Sequence, residues 1–448
     1  MLLAAAFVLA DIRAALDRGQ REVVLPAGET RIDRPLVVPA RARGIRLRGA
    51  AGGSVLVMEA GFRGAAAVVV DGASEVSLSG FEIRGNRAEL KSPWYLPLNE
   101  AAFAEFYPDN GILIRNARHA VVRNVRLSGI RTFPVLVGAS SNVTLDGLRI
   151  ADSGTLNQAG RNNTTGGILL EEGVSGFEIT RCVVERITGN GIWTHSYARS
   201  PRQADGWIHG NVISRVGRDA IQVGHATRVR VEDNRGAELG YPAEIVDVES
   251  HGVAVALDTA GNVDGSVYAR NHFTDVNGQC IDLDGFHDGR VVDNSCLNSR
   301  PLEAYPASHY GVVFGNNDPG MESTGVVLTG NRLEGFAYGG VFLTGSNHRI
   351  ENNRLLDLNR AHCGSVPTPA RCNYAPDQPD LLRSGVYVAA NGGRPAAAAG
   401  NVVRGNTVTG YGIPAHCVTA APGVDLKANT VLQNDCRESG RQPAAGDR

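Results

Sequence analysis

Short runs of alternating apolar and polar residues follow one another along most of the chain. The segment GGVFLTGSNHRIENNRLLDL, residues 339–358, contains three such runs, GVFLT, HRIEN and RLLDL, separated by Gly, Ser or Asn. Alternation with a period of two is typical of strands rather than helices, and Gly, Ser and Asn are turn residues. The segment therefore predicts three short strands joined by tight turns.

The pattern repeats along the chain, and an asparagine marks each repeat. Several of these asparagines lie 22 or 23 positions apart, such as 331 and 353 or 271 and 294. A fixed period near 22 with three strands per repeat predicts a solenoid of the parallel β-helix type. Stacked at an inward turn, the amides would bond to one another and to buried backbone groups. The aligned residues are Asn124, Asn211, Asn234, Asn271, Asn294, Asn331, Asn353, Asn406 and Asn429.

The chain resembles the right-handed parallel β-helix proteins of the pectate-lyase-like superfamily over residues 45–433. The resemblance rests on the asparagine series and on strand openings of the form GIxL: GILI at Gly111, GILL at Gly167, GIWT at Gly191, GVVF at Gly311 and GVFL at Gly340. It implies an all-β fold, one right-handed β-helix domain over residues 11–436. The stretch ADIRAALDRGQ similarly looks like the capping helix of that superfamily.

Composition and the two ends of the chain narrow the picture. The 448 residues carry a formal net charge of −2, which gives no polycation signature for nucleic acid. Residues 1–10, MLLAAAFVLA, resemble a truncated secretory signal and are too short to span a membrane. Residues 437–448 have the composition of a disordered tail. Neither a membrane nor a nucleic-acid partner is expected, and the oligomeric state is left open.

The seven cysteines favour disulfides. The stretches QCIDLDGFHDGRVVDNSC and HCVTAAPGVDLKANTVLQNDC share a layout, which pairs Cys280 with Cys296 and Cys417 with Cys436. Cys363 and Cys372 would then close a loop, and Cys182 is left over. The alternative, a metal site, lacks CxxC or Cys/His spacing. Disulfides predict a secreted or periplasmic protein.

Four long insertions interrupt the repeats, each just before a GIxL-type strand. They should therefore rise along one side of a single sheet, and in proteins of the resembled fold that sheet is the usual active-site face. The first insertion contains the aromatic run KSPWYLPLNEAAFAEFYP, which suits either sugar stacking or packing onto the coil beneath. The insertions span residues 86–109, 237–251, 297–310 and 359–384.

The stretch CIDLDGFHDG, residues 280–289, puts two carboxylates on an apolar strand pattern. Asp282 and Asp284 alternate with apolar residues, and His287 and Asp288 follow in the next turn. We align the inward pair Ile281 and Leu283 with Ile192 and Thr194, Ile221 and Val223, Val255 and Leu257, and Val312 and Phe314. The outward residues then form two columns: Trp193, Gln222, Ala256, Asp282 and Val313 in one, and His195, Gly224, Asp258, Asp284 and Gly315 in the other.

This register predicts that Asp258 lies beside Asp284, because neighbouring strands are about 4.8 Å apart, with Asp282 near both. Outward aspartates can be ordinary solvated surface. Converging carboxylates instead repel one another and leave one able to hold a proton. The predicted catalytic residues are Asp258, Asp282, Asp284, His287 and His225. The predicted substrate-binding residues are Trp193, His195, Gln222, Asp288 and Glu171, with Trp193 either a sugar platform or a cover for the coil edge.

Three functions are compatible with such a face. The favoured one is glycoside hydrolysis of a polysaccharide by paired aspartates, without a cofactor. The arrangement resembles polygalacturonase-type hydrolases of this fold, but their NTD, GDD, GHG and RIK signatures are missing and only GHA at Gly224 is present. The substrate sugar is therefore left open.

The second function is lyase or C5-epimerase chemistry on uronic acid polymers. In that case Asp258, Asp282 and Asp284 would hold Ca²⁺, or a histidine would act as the base. The stretch DGFHD at Asp284 resembles a distorted form of the DPHD motif of mannuronan C5-epimerases. The third function is a non-catalytic carbohydrate-binding or surface β-helix, against which the irregular, one-sided insertions argue.

Overall fold

The computed structural model describes residues 2–93, 101–197, 199–248, 254–315, 321–390 and 398–439. Within it the chain forms two compact units, residues 1–250 and 251–448. Each unit is built from coils of three short strands, and all the pairings between coils are parallel.

The first unit begins with a helix and continues with strands. Its helices are α1 (Leu2–Asp17), α2 (Phe103–Phe106) and a 3₁₀ turn at Ala243–Ile245. Its strands are β1 (Glu22–Leu25), β2 (Gly28–Ile32), β3 (Leu36–Val38), β4 (Arg46–Gly49), β5 (Ser54–Met58), β6 (Ala66–Asp71), β7 (Ser77–Ser79), β8 (Glu82–Arg84), β9 (Asn110–Arg115), β10 (Arg118–Arg123), β11 (Arg126–Ser128), β12 (Val135–Gly138), β13 (Ser141–Asp146), β14 (Arg149–Ser153), β15 (Gly166–Glu171), β16 (Glu178–Thr180), β17 (Val183–Ile187), β18 (Asn190–His195), β19 (Gln203–Ala204), β20 (Trp207–His209), β21 (Val212–Val216), β22 (Ile221–Thr227), β23 (Arg230–Glu232) and β24 (Arg235–Leu239).

The second unit consists of strands with four 3₁₀ turns, at Leu302–Ala304, Ala370–Cys372, Ile413–Ala415 and Leu426–Ala428. Its strands are β25 (Ala254–Asp264), β26 (Val267–Ala269), β27 (His272–Val276), β28 (Gly278–Leu283), β29 (Phe286–His287), β30 (Arg290–Val292), β31 (Ser295–Leu297), β32 (Val312–Val313), β33 (Val327–Thr329), β34 (Arg332–Glu334), β35 (Val341–Leu343), β36 (Arg349–Glu351), β37 (Arg354–Leu358), β38 (Val386–Val388), β39 (Val402–Arg404), β40 (Thr407–Gly410), β41 (Val418–Ala420), β42 (Thr430–Leu432) and β43 (Asp435–Glu438).

Three sheets run through each unit, and each coil contributes one strand to each sheet. In the first unit sheet 1 is β1-β4-β7-β10-β13-β16-β20-β23, sheet 2 is β2-β5-β8-β11-β14-β17-β21-β24 and sheet 3 is β3-β6-β9-β12-β15-β18-β22. In the second unit sheet 1 is β26-β30-β33-β36-β39-β42, sheet 2 is β27-β31-β34-β37-β40-β43 and sheet 3 is β25-β28-β32-β35-β38-β41. The predicted parallel β-helix is confirmed.

Alternation builds the core. Aliphatic side chains stack inside the coils in register. In sheet 1 of the first unit, from β4 onward, none of the stacked residues is more than 1% exposed: Leu47, Leu78, Val122, Leu145, Ile179, Ile208 and Val231. Helix α1 packs against β1, β2 and β3 through Leu9, Ile12 and Leu16, as expected for a cap. This helix also contains residues 2–10, the predicted leader segment.

The asparagine series forms a buried ladder at the turn between sheets 1 and 2. In each rung the side-chain oxygen of one asparagine accepts from the backbone N–H and from the amide of the preceding one, at 2.8–3.0 Å. The links are Asn211 to Asn234 in the first unit and, in the second, Asn271 to Asn294, Asn331, Asn353, Asn406 and Asn434 in turn. The ladder supplies partners to backbone groups that face away from water.

Two of the aligned asparagines do not lie in the ladder, so the prediction was wrong for them. Asn124 is an exposed residue at positive φ, one position before the inward place, which Val125 occupies. Asn429 stacks beneath Asn401 in a separate row that precedes sheet 1, and Asn434 takes the final rung of the main ladder.

The unpaired cysteine begins the ladder of the first unit. The backbone N–H of Cys182 donates to the Asn211 side chain at 2.9 Å. The Cys182 sulfur lies 3.4 Å from the Thr180 carbonyl and 3.7 Å from the Leu145 carbonyl. The second contact corresponds to the bond that the Asn211 amide donates to the Ile179 carbonyl one coil later. Burial raises the pKa of this thiol to about 12, so Cys182 serves as a neutral rung.

All three predicted disulfides are present: Cys280–Cys296, Cys363–Cys372 and Cys417–Cys436. Cys280 and Cys417 occupy the place that glycine holds in the GIxL openings, where a side chain points toward the sheet 2 strand of the same coil. That inward direction explains why both reach a cysteine in sheet 2. Three disulfides indicate an extracellular protein.

Each of the four insertions precedes a strand of sheet 3, as predicted. The strands that follow are β9, β25, β32 and β38. Residues 94–100 and 249–251 of these insertions lie outside the described residues. Strand β43 extends to Glu438, into the segment predicted as a tail, and residues 440–448 also lie outside the described residues.

We predict that Asn331→Asp destabilises the fold by roughly 3 kcal/mol or more. The change removes the donor to the Val291 carbonyl and the Asn353 oxygen and buries a charge. The same substitution at exposed Asn124 should cost under about 0.5 kcal/mol. Urea unfolding followed by circular dichroism measures both, and equal effects of the two variants would contradict the ladder's role.

Candidate functional site

Two aspartates lie side by side on sheet 3 of the second unit. Strands β25 and β28 pair so that Leu257 faces Ile281 and Asp258 faces Asp282. Since paired parallel strands are about 4.8 Å apart, the two side chains leave the sheet as neighbours. Asp258 is 7% exposed and Asp282 is half-buried.

The predicted register was wrong by two residues at this strand pair. Val255 faces Gln279 rather than Ile281, and Asp258 faces Asp282 rather than Asp284. The predicted column that joined Ala256 to Asp282 therefore does not form. The register between β28 and β32 was right, with Ile281 facing Val312 and Asp282 facing Val313. In the first unit Trp193 faces Gln222 as predicted.

Gly315 lies against two acidic side chains. A Cβ placed on Gly315 would lie 3.3 Å from the Asp284 Cβ, 3.5 Å from the Asp284 Cγ and 3.5 Å from the Asp282 Oδ1. The Asp282 Oδ1 and the Asp284 Cγ are thus no more than twice 3.5 Å apart, and both lie next to the position that a side chain at residue 315 would take. Asp258, Asp282 and Asp284 form what we call the carboxylate face.

Thr259 fixes the backbone of the carboxylate face from inside the coil. This residue is 1% exposed, and its hydroxyl lies 3.3 Å from the Asp282 carbonyl and 3.1 Å from the Asp284 carbonyl. After Asp284 the chain turns at Gly285, whose φ is +66°, and a Cβ there would press on the Gly261 carbonyl. The turn therefore requires glycine.

The insertion at residues 359–384 covers a later part of the same sheet. Leu381 and Leu382 pack with Tyr387 and Phe342, whose outward side chains follow Val313 in register. The Cys363–Cys372 disulfide closes this insertion. The carboxylate face thus lies on a sheet whose neighbouring outward positions are covered by an ordered loop.

His287 was predicted in the turn after the strand but lies in the short strand β29, which pairs with β25, and Asp288 follows it. The His287 Nδ1 lies 2.8 Å from the Asp264 carboxylate, and its Nε2 lies 3.0 Å from the Glu322 carbonyl. Both ring nitrogens are therefore engaged. Asp288 is exposed at positive φ, and its carboxylate lies over Gly325.

Trp193 and His195 lie on sheet 3 of the first unit, beneath the segment that contains α2. The ring of Phe103 packs edge-on against Trp193 at 5.2 Å and against His195 at 5.3 Å. Trp193 is only 8% exposed, in a cluster with Tyr107 and Phe133. Burial lowers the pKa of His195 to about 4. The described part of the aromatic insertion therefore packs onto the coil.

The remaining predicted residues of the first unit have structural partners. Gln222 accepts from the Asn190 amide at 3.0 Å and is buried. The His225 Nε2 lies 3.3 Å from the Ser200 carbonyl. Glu171 faces His195 in register and is fully buried. Its two oxygens accept from the backbone N–H groups of Phe103 and Ala104 at 2.7 and 2.8 Å.

Within the described ranges, no group of three or more His, Cys, Asp or Glu side chains is arranged to hold a metal ion. In the same part of the chain, no helix is long and apolar enough to cross a membrane.

Comparison with known proteins agrees with this architecture. A family model described as "Right handed beta helix region" matches residues 66–237. The chain is a right-handed parallel β-helix. A comparison with curated protein sequences gave no match.

Solved structures share this β-helix at low sequence identity. The surface adhesin PfbA of Streptococcus pneumoniae is 14% identical, with a TM-score of 0.59 over 78% of this chain and 86% of the adhesin. The family 28 exopolygalacturonase of Yersinia enterocolitica is 13% identical, with a TM-score of 0.52 over 78% and 70% of the two chains. The GH136 lacto-N-biosidase of Eubacterium ramulus is 14% identical, with a TM-score of 0.50 over 90% of this chain and 63% of that one. Carbohydrate-active enzymes and an adhesin thus share the fold.

The sequence reasoning missed Thr259 and the anchoring contact of Glu171. Thr259 directly follows Asp258 in an apolar run, so its hydroxyl carried no distinct signal. The contact of Glu171 joins residues 68 positions apart, and only the folded insertion brings them together.

We predict that Thr259→Val destabilises the β-helix by about 1–2 kcal/mol, because the Asp282 and Asp284 carbonyls then lose the one buried O–H that they share. Thr259→Ser keeps the hydroxyl and should retain most of that stability. Chemical denaturation of the two variants side by side measures the difference. An unchanged unfolding midpoint for Thr259→Val would show that this hydroxyl does not hold the strand.

Proposed function

We propose that this β-helix is a secreted or periplasmic glycoside hydrolase whose catalytic centre is the carboxylate face. The observation that carries the proposal is the pair Asp282 and Asp284, whose side chains both lie against Gly315. Glycoside hydrolases flank the scissile bond with two carboxyl groups, about 5–5.5 Å apart in retaining and about 6.5–9.5 Å apart in inverting enzymes. The Asp282 Oδ1 and the Asp284 Cγ are at most twice 3.5 Å apart, and this limit is compatible with both the retaining and the inverting spacing.

The mechanism divides roles between two carboxyl groups. Asp258 lies beside Asp282 on the neighbouring strand and is more deeply buried, which leaves Asp282 and Asp284 as the pair that acts on the substrate. Asp282, in its protonated form, donates its proton to the leaving glycosidic oxygen. Asp284 stays ionised and takes the proton of the water that attacks the anomeric carbon, so that bond cleavage and water addition balance.

The fold alone does not indicate whether the function is catalysis or adhesion, since hydrolases and an adhesin share it. The choice rests on the carboxylates and on the glycine between them. The lyase and epimerase hypothesis used His287 as the base. Both nitrogens of that ring have protein partners here, which favours hydrolysis.

Incubation with neutral and uronic polysaccharides, with and without calcium, tests the class of reaction. Hydrolysis predicts product masses that include one added water per cleavage, by mass spectrometry. Products with the mass of unsaturated, dehydrated sugars would indicate elimination instead. Binding without any product would favour the adhesion function.

We expect Asp282→Asn and Asp284→Asn each to lower kcat roughly 10²–10⁴-fold, the range for loss of a general acid or base. The same change at Asp205, an exposed residue paired with Arg228 in the first unit, should leave kcat within about threefold of the wild type. Reducing-end release on whichever substrate is cleaved gives the rates. Full activity of both site variants would exclude this pair as catalyst.

We expect Gly315→Ala to lower turnover at least about tenfold although every carboxylate is retained, because the added methyl would meet the Asp284 Cβ at 3.3 Å and displace the carboxyl groups from their positions. Gly61→Ala is the matched control, since a Cβ on Gly61 has no neighbour within 4 Å. Steady-state kinetics of the two alanine variants decide the matter. An active Gly315→Ala enzyme would place the scissile bond elsewhere.

A further inference from the structure

Glu171 anchors the segment that covers sheet 3 of the first unit. The segment, residues 102–107, contains the four-residue helix α2, and Ala102 provides no side-chain cap for it. Glu171 supplies the missing acceptor, with one oxygen on the Phe103 N–H and the other on the Ala104 N–H. We call residues 102–107 the cover segment.

Apolar contacts attach the same segment to the sheet. Phe103 and Tyr107 are each 1% exposed and pack with the outward residues Leu113, Leu136 and Leu169. Phe103 also closes over Trp193 and His195. If the segment lifted, these outward aromatic rings would become accessible, and an indole face is a suitable support for a sugar ring.

The environment of Glu171 offers little compensation for a negative charge. Glu172 follows it in the chain and Glu105 projects from α2, and both raise its pKa. His195 on the next strand is neutral near pH 7, because burial lowers its pKa to about 4. Burial likewise raises the pKa of the neighbouring Tyr197 to about 12.

On the side of Glu171 away from His195, the residues in register with it on sheet 3 are Gly138 and then Arg115. The Arg115 guanidinium donates to the Asp71 carboxylate at 2.8 Å, so this cation is paired with a different acid. The two backbone N–H groups of the cover segment are thus the direct donors to the Glu171 carboxyl group.

We propose that Glu171 makes the cover segment a pH-sensitive lid, which is held closed when Glu171 is protonated and loosens when it ionises. The lid is independent of the proposed hydrolase activity, because it involves residues of the first unit alone. Glu171 acts here as a positioning residue rather than a catalytic one.

The direction of the pH effect follows from the thermodynamic linkage between proton binding to Glu171 and closure of the segment. Burial, opposed by the two backbone hydrogen bonds, raises the pKa of Glu171 from its usual 4.5 to about 7. A lifted segment would return the side chain to water and to its usual pKa. The closed form therefore binds the proton more tightly. Closure is most stable below pH 4.5, weakens as the pH rises to about 7 and changes little above that value.

Hydrogen exchange of the backbone amides in residues 103–107 tests the lid between pH 5 and 8.5. After correction for intrinsic exchange rates, protection in the wild type should fall with rising pH, by up to about two orders of magnitude. Glu171→Gln cannot ionise, so its protection should not vary with pH. Glu105→Gln removes a neighbouring charge without touching the two hydrogen bonds and should keep the wild-type trend.

Fluorescence provides a second measurement on the same lid. The chain has three tryptophans, so a Trp94→Phe/Trp207→Phe protein leaves Trp193 as the sole indole. Acrylamide quenching of Trp193 should increase as the pH rises toward 7. Protection that is constant or rises with pH in the wild type would overturn the proposal. An identical pH dependence in Glu171→Gln would overturn it as well.

Discussion

The amides stacked at the turn between sheets 1 and 2 are the interaction on which each coil depends. At that turn the chain passes through a residue at positive φ and then points a polar side chain inward, so backbone N–H and C=O groups lie away from water. An asparagine can accept from the previous coil and donate to the next because its amide has both functions. Stacking fixes the coils in register, and the register in turn aligns the outward residues of sheet 3.

Most of this architecture could be read from the sequence, because alternation and a repeated asparagine are local signals. The predictions were wrong where the same local pattern fits two different arrangements of the chain. Asn124 precedes the inward strand residue Leu127 by three positions, with Val125 in the inward place of the turn between them, whereas Asn211 itself fills that place two positions before Ile213. The motif alignment ignored that difference. At β25 a shift of two residues keeps every apolar side chain inward, so alternation could not separate Asp258 beside Asp282 from Asp258 beside Asp284.

The aromatic insertion shows a different limit. Sequence reasoning found Trp193, His195 and Glu171 as a group of outward residues, and the structure does bring them together. Their surroundings depend on Phe103, nearly 70 positions earlier than Glu171, which folds back over them. No periodic pattern encodes such a contact, since it belongs to a loop rather than to the repeat.

The pairing of Asp258 with Asp282 joins residues of two successive coils, 24 positions apart in sequence, through a single interstrand spacing. Each coil of a solenoid contacts chiefly its immediate neighbours. Whole coils can therefore be gained or lost elsewhere in the second unit without moving these two carboxylates relative to each other. One coil inserted between them would instead separate them by about another 4.8 Å. The length of such a protein and the spacing of Asp258 and Asp282 can thus evolve separately, except at that one junction.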